Sequence, residues 1–454
     1  MTLSLHPAMP RFAAPDWAGA QWVGGIDRRD TRHDEIRLQD AEGYTRARLL
    51  VRNGRTVLGF VTVDASNGGV NGGELRRAIE KLPARDPSPV SARPPTARSV
   101  TVVVCTRDRP DHLRTALQSI LELDYPNFTV LIVDNAPRTA KTHDLVRDEF
   151  ADPRVSYRLA PIAGTSRARN VALVYAPGDI VAYVDDDVVV DRYWLTEIMA
   201  AFDLAADVGC VTGLVPSGEL RTRVQQSFDE RVSWAKNLDQ TLYRLSAPPP
   251  NLPLFPFCIG DYGTGANFAL HRETALGILG FDSALGGGVP TYGGEDIDIF
   301  VRTLLSGAAL VVQPSAITWH RHRDDLAALT KQARGYGTGL GAWAAKLLSS
   351  RRTACLVIAR APRALKRLVG IARTKPGPDA ATSITADTRT TKTAATPDPG
   401  QPDELSRVLA RMGWIELASV FTGPLRLAAL RRAGYGHLNI DELAVARSLT
   451  RTVT

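Results

Sequence analysis

Between Ser99 and Asp187 the chain alternates short apolar runs with amphipathic stretches. Four runs rich in β-branched residues stand out: 99–106 (SVTVVVCT), 128–135 (FTVLIVDN), 154–159 (RVSYRL) and 179–187 (DIVAYVDDD). The first, second and fourth are apolar almost throughout, as strands covered on both faces are. Helical spacing separates them. Leu113, Leu117, Ile120 and Leu121 follow an Asp108–Pro110 start, which predicts an N-cap at Asp108 and a proline in the first turn. Further helices are predicted over 139–149, 165–176 and 192–202. Strands and helices in this alternation predict an α/β domain with a mostly parallel sheet.

The flanks read differently. Residues 1–40 show no clear period. Two β-rich runs in 44–63 flank Asn53-Gly54, a hairpin signal, and 73–82 reads as a helix. This gives a small α+β unit over 1–83, followed by a Pro-rich linker over 84–98. After 187 come a strand over 208–213, an irregular stretch over 217–260, a strand over 265–272, a Gly-rich loop entering a helix over 286–307, and two late strands, 309–313 and 316–322. The main domain therefore spans 99–323. A helical extension follows over 324–373. Residues 374–403, rich in Thr, Ala and Pro, are expected to be disordered. Helices are expected over 404–454, one starting at Gly423-Pro424 and ending at Gly434.

Composition narrows this only a little. The 454 residues are 44% apolar and 23% charged, ordinary for a globular protein, with a net charge of +7. Four widely spaced cysteines without a CxxC pair exclude a zinc knuckle, a redox dithiol and a disulfide scaffold, and favour a reducing compartment. No run of about 18 apolar residues occurs, and 1–16 lacks a signal-peptide core. A cytoplasmic chain, peripheral at the inner face of the plasma membrane, is expected. The charge is local. Residues 351–375 hold eight Lys and Arg and no acid, interleaved with apolar residues. Such a segment suits an anionic membrane surface. It has no aromatic residue and no nucleic-acid module accompanies it, so nucleic acid is not an expected partner.

The first chemical signal is Asp185-Asp186-Asp187. Three adjacent carboxylates repel one another and gain little from burial, and a divalent cation such as Mn2+ or Mg2+ relieves that cost. A carboxylate cluster after a strand serves two chemistries. One is a haloacid-dehalogenase-like phosphatase, with Asp185 as nucleophile. The other is sugar transfer, in which a metal neutralises a departing diphosphate. The phosphatase motif belongs on the first strand of its domain, whereas here three strands precede it.

Five motifs then occur in order: VVVCTRDRP (102–110), VLIVDNA (130–136), GTSRARNVAL (164–173), VAYVDDDVVVD (181–191) and YGGEDIDIFVR (292–302). Together they resemble the family 2 glycosyltransferases of GT-A fold, over about half the chain. The resemblance implies a Rossmann-like, mostly parallel sheet and an inverting transfer from a nucleoside-diphosphate sugar to a carbohydrate or lipid-linked acceptor, in cell-envelope glycan, polysaccharide or glycolipid synthesis. By resemblance, Thr106, Arg107, Arg109 and Asp134 hold the nucleotide. A carboxylate accepts a base N–H such as that of uracil, which makes a UDP-sugar the first donor to expect from Asp134, with GDP and dTDP donors left open. Arg169 faces the donor and lowers the cost of clustered negative charge, while Arg167 is expected to be solvated. Asp185 is a ribose or metal contact, Asp187 a metal ligand, and Asp186 adds charge. His320 is chosen over His322 as a third ligand. Asp296 is the base that takes the proton of the attacking hydroxyl, Glu295 orients the acceptor, and Asp298 is structural. Asp261 and the apolar stretch 252–259 are expected to line an acceptor cleft. A basic membrane-associated scaffold without activity is the alternative outside enzymes.

Overall fold

The computed structural model describes residues 3–85, 98–232, 234–258, 260–360, 404–439, 441, 442 and 444. The predicted disordered segment, most of the predicted linker and residues 361–375 of the basic segment lie outside them.

The N-terminal unit contains β1 (Leu3–Leu5), β2 (Gln21–Asp27), β3 (Glu35–Leu38), β4 (Arg46–Asn53), β5 (Thr56–Asp64), β6 (Gly69–Asn71) and helix α1 (Gly72–Ile79). These strands form two three-stranded sheets, β1-β3-β6 and β2-β4-β5. The predicted hairpin is β4–β5, closed by an Asn53–Thr56 pair with Gly54 at φ +60°, the left-handed conformation glycine adopts freely. Residues before 40 are not irregular: three strands lie there. β1 and β3 are only three and four residues long, and two glycines interrupt the apolar pattern of β2.

The main sheet holds β7 (Val100–Thr106), β8 (Phe128–Asn135), β9 (Val155–Ala160), β10 (Ile180–Asp185), β11 (Val188–Val190), β12 (Val208–Leu214), β13 (Thr241–Tyr243), β14 (Asn267–His271) and β15 (Ala309–His320). Their order is β11-β15-β12-β14-β10-β7-β8-β9, with β13 paired to β15. The four strands β10, β7, β8 and β9 are parallel neighbours. β14 runs antiparallel between β10 and β12. The chain leaves β7 for β8 and β9 on one side, then returns to β10 on the other. The crevice between the ends of β7 and β10 is therefore the switch point, where open α/β sheets bind ligands.

Around this sheet pack α2 (Pro110–Leu121), α3 (Lys141–Glu149), α4 (Thr165–Tyr175), α5 (Trp194–Phe202), α6 (Arg223–Arg231), α7 (Arg272–Gly277), α8 (Glu295–Leu305) and α9 (Leu326–Ser349). Two sequence expectations change. Asp108 does not cap α2. It sits at φ +53° and its carboxylate accepts from the Arg138 amide, tying two strand-end turns together, while Arg109 holds the cap position and Pro110 follows as expected. The two late strands are one, β15, which carries Pro314 through a register shift against β12. The side-chain amide of Asn267 fills that break by donating to the carbonyls of Leu214 and Ala316.

The helices after the sheet are part of its core. Trp343 and Leu347 of α9, with Leu427 and Leu430 from the helix Gly423–Arg432, are buried with Phe268, Phe281 and Phe300. A row of glycines permits this. A Cβ on Gly337 or Gly341 would stand 2.0 or 1.9 Å from the carbonyl oxygens of Glu416 and Val420 in the helix Glu404–Val420. The stretch 252–258 also turns inward: Phe255 and Cys258 are buried, and Leu252, Leu254 and Phe257 pack against the same core. Its apolar side chains therefore meet this core, and Ile259, the last residue of the expected cleft lining, lies outside the described residues.

Candidate functional site

The register of the central strands sets the site. Asp185 lies beside Cys105, and Thr106 beside Asp134, so three strand ends present polar residues at one edge. The three aspartates then part. Asp186 turns back into the protein, accepting from the Thr106 hydroxyl at 2.7 Å and from Arg109. Burial pushes its carboxyl up to about 7, against the pull of Arg109. Asp185 and Asp187 face forward. Arg109 also donates to Asp187 at 2.8 Å. It thus braces the acidic turn, and its guanidinium is committed to two carboxylates.

β15 delivers the third partner. Nε2 of His320 is 3.2 Å from Asp187 and 3.9 Å from Asp185. Asp187, Asp185 and His320 can each offer a ligand atom within 4.8 Å of the others. Two carboxylate oxygens and an imidazole nitrogen are a donor set that could hold a divalent metal ion. Burial opposes ionisation of Asp187, yet His320 and Arg109 hold its carboxyl well below the usual range. Of the two histidines, His320 is the one in this cluster. His322 is buried, its Nδ1 lies 3.1 Å from that of His320, and its ring packs on Phe228 and Trp234.

A second acidic pair enters from α8. Gly294, at φ +90°, precedes Glu295, so the loop turns sharply into the helix. Asp296 accepts from the amides of Gly265 at 2.9 Å and Ile297 at 2.8 Å. Glu295 is buried. One of its oxygens accepts from Arg169 at 3.2 Å, and the other has no hydrogen-bond partner among the described residues. Burial and the neighbouring Asp296 push its carboxyl up to about 7. Arg169 links the two acidic groups: it donates to Glu295 and to the Gly265 carbonyl and lies 3.8 Å from Asp185. Arg167, by contrast, stacks on the Tyr435 ring at 4.4 Å and is only half-exposed. Asp298 is structural as expected, paired with Arg302 and Lys346.

Asp185, Asp186, Asp187, His320, His322, Arg109, Arg169, Glu295 and Asp296 line one cavity of about 640 Å³, whereas Asp134, Arg167 and Asp298 do not. Thr106 and Arg107 are on its wall with Asn135. Asp134 lies behind it, fully buried and accepting from the Tyr157 hydroxyl at 3.0 Å, with its carboxyl raised by burial. Asp261 is also outside the lining. Among the lining residues not singled out from the sequence are Trp234, Tyr336 and Glu416. Glu416 pairs with Arg231 across the cavity rim. The available signal was the glycine row 335, 337, 339 and 341, which marks α9 as a helix meant for backbone-close packing.

The family model described as glycosyl transferase family 2 matches residues 101–260. The chain is 26% identical over 256 residues to the pre-mycofactocin glycosyltransferase of Mycobacterium tuberculosis, covering 56% of this chain and 48% of that one. It is 27% identical over 231 residues to the succinoglycan biosynthesis protein ExoM of Rhizobium meliloti, covering 48% and 65%. The chain thus spans about half the length of the first of these relatives. A solved mannosyltransferase of Pyrobaculum calidifontis aligns with a TM-score of 0.43 and 18% identity, over 81% of this chain and 91% of that one.

Proposed function

We propose, from the premise that residues 101–260 form a family 2 glycosyl transferase domain, that this chain moves a sugar from a nucleoside-diphosphate donor to an acceptor hydroxyl with inversion. The observation that carries the reading is the placement of two acidic groups, Asp185/Asp187 with His320 and Glu295/Asp296, in one cavity at the switch point of the sheet. In-line displacement needs a stabilised leaving group on one side and a proton acceptor on the other.

Asp185, Asp187 and His320 would hold the divalent metal, which when bound supplies positive charge to a leaving diphosphate. The chain's own residues do the rest. Thr106 and Arg109 fix Asp186 and so aim the acidic turn. Asn135 and Arg107 border the nucleotide side. Asp296, held by two backbone amides, takes the acceptor proton, and Glu295 with Arg169 sets its position. Tyr292, Tyr336 and Trp234 wall the cavity and restrict water. Asp134, the residue expected to select uracil, lies behind the cavity, so UDP-, GDP- and dTDP-sugars make up the donor set, and the acceptor is a carbohydrate or lipid-linked hydroxyl of envelope glycan synthesis. The phosphatase alternative fits less well, because Asp185 ends a central strand reached after three others and faces Arg169 and His320.

The test is a donor panel with Mn2+ and Mg2+, read by release of nucleoside diphosphate with and without sugar acceptors. Asp187→Ala is expected to lower release at least about a hundredfold while keeping the unfolding midpoint near wild type. Release by no donor, or unchanged release by the variant, would overturn the reading.

A further inference from the structure

Four large apolar side chains stand in solvent near the C-terminal end of the described chain. Trp414, Leu417, Phe421 and Leu425 are 73%, 53%, 76% and 77% exposed. Scattered exposed leucines are ordinary. A run that includes a tryptophan and a phenylalanine marks a surface that meets something. Trp414 and Leu417 are one turn apart on the helix Glu404–Val420, Phe421 follows at its end, and Leu425 lies in the first turn of Gly423–Arg432.

The other face of the first helix is already committed. Met412 is buried with Phe228, Leu329 and Ala333, and the carbonyls of Glu416 and Val420 abut the glycines of α9. The exposed stripe is therefore the outward side of a fixed helix. Its charge is one-sided. Residues 405–432 contain five arginines, of which Arg426 and Arg431 already serve the Pro290 carbonyl and Asp282, and a single carboxylate, Glu416, which is paired with Arg231. Arg411 precedes Trp414 by three residues and Arg432 follows Leu425 by seven, so each shares its helix face with the apolar stripe, and both are exposed. An aromatic and aliphatic stripe flanked by guanidinium groups and free of carboxylates matches the boundary between lipid headgroups and acyl chains.

We propose that this face docks the chain on an anionic membrane surface. The surface is distinct from the basic segment 351–375, where Arg352 and Arg360 donate to the carbonyls of Leu305 and Phe255 and so serve the domain itself. Nor does the sequence over 374–403 offer a cover, since Ile384 is its one large aliphatic residue and it has no aromatic. Because Glu416, on the inner side of the same helix, lines the cavity, docking holds the cavity within about one helix diameter, roughly 10 Å, of the bilayer. A lipid-linked acceptor is the class this placement serves. The docking itself does not depend on the sugar-transfer reading, and its test reads binding alone.

The full chain is mixed with vesicles of phosphatidylcholine, and with vesicles of phosphatidylcholine and phosphatidylglycerol in equal parts, and sedimented. Its mass in solution is measured by light scattering. Wild type is expected to sediment with the anionic vesicles and to remain in solution with the neutral ones. The double variant Trp414→Ser, Phe421→Ser is expected to bind at least about tenfold more weakly, with an unchanged unfolding midpoint, and Arg411→Gln, Arg432→Gln to weaken binding without changing mass. Failure of wild type to sediment with anionic vesicles overturns the proposal. So does a wild-type dimer that the Trp414/Phe421 variant dissociates, since the face would then belong to a second copy.

Discussion

Glu295 is the residue whose environment says most about the chemistry. It is buried beside Asp296 and paired with Arg169, and its carboxyl titrates near 7. Above that pH the charged pair holds Arg169, which in turn reaches Asp185 and the Gly265 carbonyl. Below it, Arg169 loses its ionised partner. The rate of transfer is therefore expected to fall as pH drops through neutrality, and Glu295→Gln to flatten that limb of the kcat/KM profile. A limb that persists in the variant assigns it to another group. The sign for stability is opposite. An unfolded chain ionises Glu295 from about 4.5, before the folded one does, so this group lowers stability as pH rises from there to about 7. Arg109 is the complementary case. The resemblance places it among the residues that hold the nucleotide, but the neighbouring carboxylates claim both ends of its guanidinium.

At the scale of elements, the glycine row of α9 governs how closely the C-terminal helix approaches. A methyl group at position 341 meets the Val420 carbonyl at 1.9 Å, a clash relieved only by moving a helix. Gly341→Ala is expected to destabilise the protein by about 1–3 kcal/mol, measured by denaturant unfolding. It should also raise hydrogen exchange in 404–432, because the displaced helix loosens. Unchanged exchange there would show that the helices slide apart without cost. Much of the sheet was legible in the sequence, since its strands are apolar runs between helices of regular period. The acidic turn and the α8 start were equally legible, because carboxylates clustered after an apolar strand have few other uses. The short strands before residue 40 were not, being too brief to show a period. Nor was the meeting of Arg231 with Glu416, which is set by packing between segments 185 positions apart, and no local pattern encodes it. The inward turn of 252–258 shows the same limit: an apolar run states that it is buried, not against what.

The whole molecule is more unified than its sequence segments suggest. The N-terminal unit is not a tethered module. Val23, Leu50 and Val57 are buried with Leu214, Ile317 and Trp319. Arg48, Arg52 and Arg55 pair with Asp229, Asp191 and Glu197 of the main domain. Trp319 precedes the candidate ligand His320 on β15, so this interface backs the strand that carries the site. Deleting residues 3–85 is expected to expose that apolar face, giving an aggregating chain with lowered thermal stability, and full-length protein should unfold in one transition. A stable, monodisperse truncated chain would show the unit to be dispensable. At the other end, Lys346, Arg431 and His437 converge on buried Asp282, clamping the last helices to the sheet. The cavity wall at Glu416 therefore comes from nearly the end of the described chain, while Thr106 and Arg107 come from its first third. During synthesis the N-terminal unit and the strands emerge first, and the acidic turn can form while the ribosome is still translating. The pocket therefore stays open on one side until the helix Glu404–Val420 has emerged and packed on α9, so its wall closes late in synthesis.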